Sequence, residues 1–165
     1  MTTGLIQRFC DWLAATALSQ LFAGLDWFVP VVQTVHILSI AVVVTTLGML
    51  DFRLLNLTRS GPPLPVLAQS FLPWTWRALG VLLVTGILLT ITEPTRELMN
   101  YSFRLKMVMV LMLVIMTLAF QVALTKDPEY WSSSGRGRRL GGAIGLLSLL
   151  LCVAIVAAGR LIAYL

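Results

Sequence analysis

Charge is scarce in this chain: 12% of its 165 residues are Asp, Glu, Lys or Arg, where a soluble domain carries about 25%. Histidine is scarcer still. The single histidine, His36, rules out a bis-imidazole metal centre built from this chain alone. It also lies inside an apolar run with no Asp at its level, so no Ser–His–Asp relay can be assembled around it. The two cysteines, Cys10 and Cys152, are far apart in sequence and form neither a CxxC pair nor a disulfide framework. Both read as small apolar side chains. No P-loop, dinucleotide fingerprint or zinc-ligand spacing occurs.

What the chain does have is apolar length. Hydrophobic residues make up 58% of it and the mean hydropathy is +0.91, gathered in blocks long enough for lipid to be the solvent. Four spans are expected, at about 29–50, 78–92, 103–125 and 140–165, the second extended at its front by Trp74 and Trp76 as interfacial aromatics. Pro62, Pro63 and Pro65 are expected to break the chain between the first two. The expected fold class is all-α, an integral membrane four-helix bundle forming one domain over 1–165. Residues 5–22 carry too many polar groups for a span. They place Leu5, Phe9, Trp12 and Leu13 on one helical face, which predicts an N-terminal interfacial helix.

The formal net charge is +5, and the cations cluster at the ends of apolar blocks, where anionic headgroups attract them. They are not interleaved with aromatics as on a nucleic-acid surface, so no nucleic-acid partner is expected. Arg53, Arg59 and Arg77 lie between the first two spans, and Lys126, Arg136, Arg138 and Arg139 between the last two. The positive-inside rule puts both loops in the cytoplasm and both termini outside, in a bacterial inner membrane.

Ionisable groups at membrane depth are costly and each is a functional hypothesis. At helical rise His36 lies ~10 Å below the outer end of the first span and Arg160 ~7 Å below that of the fourth. Arg104 and Lys106 head the third span, and Glu93 closes the second. A histidine ringed by cations suits haem b, with imidazole on the iron and Arg or Lys at the propionates. Gln33 and Ser39, three residues either side of His36, share its face and are candidate hydrogen-bond partners for the ring. Met109, ~9 Å deep, is the depth-matched candidate for the opposite axial position. A lone intramembrane histidine also serves as a simple interhelical hydrogen bond, with Arg160 snorkelling or pairing with Glu93. Met109, Met112 and Met116 share a face that reads either as a Cu(I) path or as gap-filling in an apolar bundle. Gly141, Gly145, Ser148 and Cys152 form a small-residue stripe for close helix packing, within the bundle or against other membrane subunits or a second copy. Asp51, Arg53 and Arg77, with Gln121 near their level, read as interfacial anchors containing an Asp51–Arg pair.

The run VVQTVHILSI at 31–40, with LDFRLL at 50–55, LPWTW at 72–76, FRLK at 103–106 and GRLIAY at 159–164, resembles an uncharacterised group of bacterial four-helix membrane proteins, a domain of unknown function. More distantly, the His-bearing first span and the Lys heading the third resemble copper-resistance D-type proteins and the haem-binding membrane protoporphyrinogen oxidases. That likeness implies haem-binding roles for His36 and Lys106. The chain departs from it near Gln121, where such relatives carry a second histidine. The functional expectation is a small membrane redox or electron-transfer protein holding haem b, a subunit of a larger complex without independent catalysis. The alternatives are a cofactor-free accessory subunit and a copper-handling protein.

Overall fold

The computed structural model describes residues 2–57, 61–128 and 130–161, the side chains at 2, 3, 5, 132, 133, 160 and 161 excepted. In chain order the helices are α1 (Thr2–Ala14), α2 (Ala17–Ala23), α3 (Phe28–Leu54), α4 (Leu64–Thr92), α5 (Pro94–Leu98), α6 (Tyr101–Lys126), α7 (Tyr130–Ser133) and α8 (Gly135–Leu161). Four of them, α3, α4, α6 and α8, are long and apolar enough to cross a membrane. At ~1.5 Å per residue each reaches ~40 Å, more than a hydrocarbon core of ~30 Å requires. The chain is thus an all-α, multi-pass membrane protein.

Local chemistry sets the boundaries. Asn56 adopts the left-handed conformation (φ 56°) after α3, and the amides of Asn56 and Leu57 turn back to the carbonyls of Arg53 and Phe52. This is the backward-bonded ending that a short polar residue tolerates. α4 starts at Leu64, well before the expected 78, because Pro63 caps it and Pro65 sits in its first turn. A proline there gives up an amide that has no helical partner anyway. Pro73, inside α4, removes one ladder bond without ending the helix. The prolines after α3 therefore open a helix as well as interrupting one.

The expected single N-terminal helix is two. Thr16 breaks it, donating to Leu13 O at 2.6 Å and accepting from Ser19 N as the cap of α2. α1 packs on α5 and α2 on α4. Cys10, fully buried, donates its thiol to Pro94 O at 3.6 Å, and Ser19 Oγ donates to Ile91 O at 2.8 Å. The carbonyl of Ile91 belongs to the last turn of α4, where no helical amide remains to meet it. The outward side of this pair carries Phe9, Trp12, Leu18 and Leu21, an apolar surface suited to a membrane interface.

Among the four long helices α3 packs most extensively on α4, then α6 on α8 and α3 on α8, while α4 meets α6 sparingly. Near the loops that join α3 to α4 and α6 to α8, Leu50, Leu54, Ala68, Leu72, Phe120 and Leu124 form one core layer. A second layer, at mid-depth, joins Val43, Leu47, Ala78, Leu113 and Cys152. The small-residue stripe of α8 is spent inside the chain: Gly141, Gly145, Ser148 and Cys152 are all buried. A Cβ on Gly145 would stand 3.1 Å from Asp51 O and 3.2 Å from Leu54 Cβ. The stripe is thus the seat of α3 on α8 and offers no surface to a second copy or another subunit.

Candidate functional site

Two polar bridges join α3 to α4. Thr75, wholly buried, donates to Thr46 Oγ1 at 2.8 Å, and Thr46 passes its own proton to Val42 O at 2.8 Å. Ten residues further along each helix, His36 Nδ1 lies 2.8 Å from Thr85 Oγ1. Thr85 has one hydroxyl proton, and it is directed at Val81 O, 2.7 Å away. The shared proton of the His36–Thr85 bond therefore comes from the imidazole. Nδ1–H donates, and Nε2 keeps its lone pair.

The histidine is half-buried. Its Cε1 edge lies beside Gly86, where a Cβ would make ordinary contact at 3.6 Å. Lys106 of α6 is near enough for its charge to act on the ring. The lysine stem runs past Gly159 of α8, with Cδ 4.0 Å from where a Cβ would stand, and its Nζ lies 5.8 Å from the Phe103 ring centroid. α3, α4, α6 and α8 thus meet at one level, in the half of the bundle that holds the chain termini. Just beyond that level sits Glu97 of α5. Its partial burial holds the carboxyl above the usual range, the Lys106 and Arg96 charges draw it down, and Glu93 pushes it up again.

The packing around this level is open. The buried residues of α6 are Leu113, Thr117, Phe120 and Leu124, and none of residues 101–112 is buried. The first half of α6 stands away from the core, while its second half is locked in.

Of the residues singled out from sequence, His36 and Lys106 are near enough for the lysine charge to act on the ring. Gln33 is exposed, and Ser39 is buried but bonded to Val35 O of its own helix at 2.8 Å. Neither orients the imidazole, because a helix turn further along the same face leads to α3's own carbonyls; Thr85, across the α3–α4 seam, does it instead. Arg104 is exposed at the head of α6, and Met109 is half-buried there with no close packing between α3 and α6 to set it opposite His36. The Arg160 side chain lies outside the described residues, and Glu93 is paired with Arg96 at 2.7 Å. The methionine stripe does not line an interior path: Met112 is 54% exposed while Met116 packs on the mid-depth core. Asp51 is 4% exposed with a hydrogen bond from Ser148, and its Oδ2 has no partner. It is no interfacial half of an arginine pair. Arg77 instead lies 5.3 Å from the Trp74 ring centroid, and Gln121 accepts from Trp76 Nε1 at 2.7 Å.

Thr85 and Gly86 escape a reading of α3 alone. The signal for them is the hairpin: His36 with Thr85 and Thr46 with Thr75 share one numerical midpoint, within the connection from α3 to α4. Among the described residues no group of three or more His, Cys, Asp or Glu is placed to hold a metal ion. Neither the curated proteins nor the solved structures include a match to this chain. The distant likeness to copper-resistance D-type and protoporphyrinogen oxidase proteins therefore rests on the quoted residues alone. The model of a family of unknown function, DUF6644, matches residues 10–165, nearly the whole length, and the chain belongs to that family.

Proposed function

We propose that this protein is a small membrane redox subunit that holds haem b through His36. The observation that supports the reading is the direction of the His36–Thr85 bond, which spends Nδ1–H on a neighbouring helix and presents Nε2 with a free lone pair. A ligating histidine is commonly fixed through its other nitrogen in this way. Lys106 at the same level and Arg104 at the head of α6 suit the propionates, and the loosely packed first half of α6 leaves this end able to admit a bulky planar group. The resemblance of the His36 and Lys106 segments to haem-pathway oxidases points the same way. Bound there, haem b supplies one-electron chemistry. The chain's own part is to set the tautomer, hold the imidazole and balance the propionate charge. His36 would be the one imidazole this sequence offers to the iron.

The basic residues between α3 and α4 and between α6 and α8 support a placement in a bacterial inner membrane with those loops in the cytoplasm and both termini outside. Work as part of a larger complex follows from the small size of the chain and its lack of a catalytic constellation.

The test is an absorption spectrum of the detergent-purified protein, as isolated and after dithionite. A Soret band with α and β bands that sharpen on reduction is the expected result, lost in His36→Ala. Thr85→Val, which frees Nδ1, is expected to weaken haem affinity by about 10–100-fold. A colourless, well-folded protein overturns the reading and leaves the His36–Thr85 bond as a tie between two helices of an accessory subunit.

A further inference from the structure

The opposite half of the bundle holds a second polar group that the haem reading does not use. Asp51 is placed one turn before the end of α3 and is almost wholly buried, yet its Oδ2 has no hydrogen-bond partner. Asp51 lines a small cavity of about 20 Å³, room for one water. Apart from Asp51, the polar side chains of its wall are Ser148 of α8 and Thr117 of α6. Ser148 hydrogen-bonds the Asp51 carboxyl. Thr117 spends its proton on Leu113 O at 2.8 Å, so it turns lone pairs and no donor to the cavity.

Among the described residues, no cation lines the cavity beside Asp51. α4 and α6 present Leu72, Met116, Thr117 and Phe120 to the cavity, none of which titrates. On α8 the Cys152 thiol is near enough to feel the carboxyl. On α3 itself Arg53 points the other way, to Gly61 O at 3.4 Å. An ionised carboxylate buried without a cation carries a desolvation penalty that nothing in this wall offsets. A calcium-sized hard cation is a poor answer, since four side-chain oxygens and one water fall short of the six or more oxygen ligands it takes. A proton needs one oxygen, and one oxygen is open.

We propose that Asp51 and its cavity form a buried proton-binding site, occupied by one proton and one water and filled from the end of the bundle where the loops lie. A recess of about 530 Å³ opens there between Arg53, Asn56, Pro63, Trp131 and Arg138. Leu54 lines both the recess and the Asp51 cavity, so this side chain, 6% exposed, is the wall between them. Hydronium reaching the recess gives its proton to Oδ2, forming an O–H bond and leaving water. The new O–H then donates to the water in the cavity. Release runs the same steps in reverse. The site stands independently of His36.

Infrared difference spectroscopy on the full-length protein in lipid vesicles, between acid and alkaline buffer, reads this directly. The expected result is the carbonyl stretch of a protonated carboxyl that is lost in Asp51→Asn, shifts in Ser148→Ala, and survives in Glu97→Gln, the control for the other partly buried acid. Carboxyl-13C aspartate moves the band in the wild-type protein, which keeps the test intact if Asp51→Asn fails to fold; Asp11, Asp26 and Asp127 are exposed. Leu54→Ala is expected to speed hydrogen–deuterium exchange of the band. A pH difference spectrum without a carboxyl band, or one that Asp51→Asn and aspartate labelling leave unchanged, overturns the proposal.

Discussion

The two halves of this bundle are built on opposite principles. In the half nearest the basic loops α6 is drawn into the core: Phe120 and Leu124 join Leu50 and Leu54 of α3 and Leu72 of α4 in one layer, and Trp76 bonds Gln121 across the α4–α6 seam. In the half that holds the termini α6 contributes no buried residue over 101–112. The described polar contacts between helices there are the imidazole–hydroxyl bond and the bonds of the short-helix cap, with Val32, Thr92 and Ala158 buried in the same half. The difference shows where lipid-embedded proteins keep tolerance. Between helices in a bilayer there is little hydrophobic drive, so cohesion comes from close packing and hydrogen bonds. A half that forgoes packing keeps room for a ligand.

Substitutions that act in one half and not the other test this contrast. The largest expected effect is that of Gly145→Leu, whose side chain would meet the backbone of Asp51 and Leu54 Cβ, groups that cannot give way. It should cost about 3 kcal/mol in a denaturant titration in mixed micelles, while Gly159→Leu, with only the flexible Lys106 stem at 4.0 Å, leaves the midpoint near wild type. Equal losses would erase the contrast. Phe120→Ala comes next, at about 2 kcal/mol, below the 3–5 of a water-soluble core because lipid returns much of the transfer energy; Met109→Ala in the other half of the same helix should cost a small fraction of that. Gln121→Leu strands the Trp76 N–H and should cost about 0.6–1 kcal/mol; indole fluorescence reports whether the α4–α6 seam opens.

The smallest expected effect is one of pH. Burial holds the Glu97 carboxyl above its ordinary range, so the native state binds that proton more tightly than the unfolded chain. Its contribution is fully present below the ordinary carboxylate range and is lost as pH rises through the raised native value. Glu97→Gln should match wild type in acid and become the more stable of the two toward neutral pH. Melting curves across that window check the sign, and a gap that widens toward acid would contradict it.

Much of this is legible in the sequence. Apolar runs around His36, Met109 and Leu150 are long enough that only lipid explains them, and the four spans follow. The start of α4 is not, since proline reads as a breaker and the positions that welcome it, a cap and a first turn, depend on where the helix begins. His36 and Lys106 stood out because ionisable groups at membrane depth are rare. Thr85 did not, because threonine is unremarked in such helices and its partner is set by the register of a hairpin. The burial of Asp51 was hidden for a related reason: near a helix end an acid looks interfacial, and only the close seat of Gly145 and Ser148 on α3 draws it inside.

The cap formed by α1 and α2 carries a consequence for biosynthesis. Its two anchoring bonds, Ser19 to Ile91 and Cys10 to Pro94, span 72 and 84 residues. α1 and α2 can therefore be seated only after α3 and α4, which follow them in the chain, have both been synthesised. At about 5–20 residues per second, the N-terminal segment waits some 4–17 s for its seat. Until then Phe9 and Trp12, exposed even in the finished fold, belong to a segment without its seat.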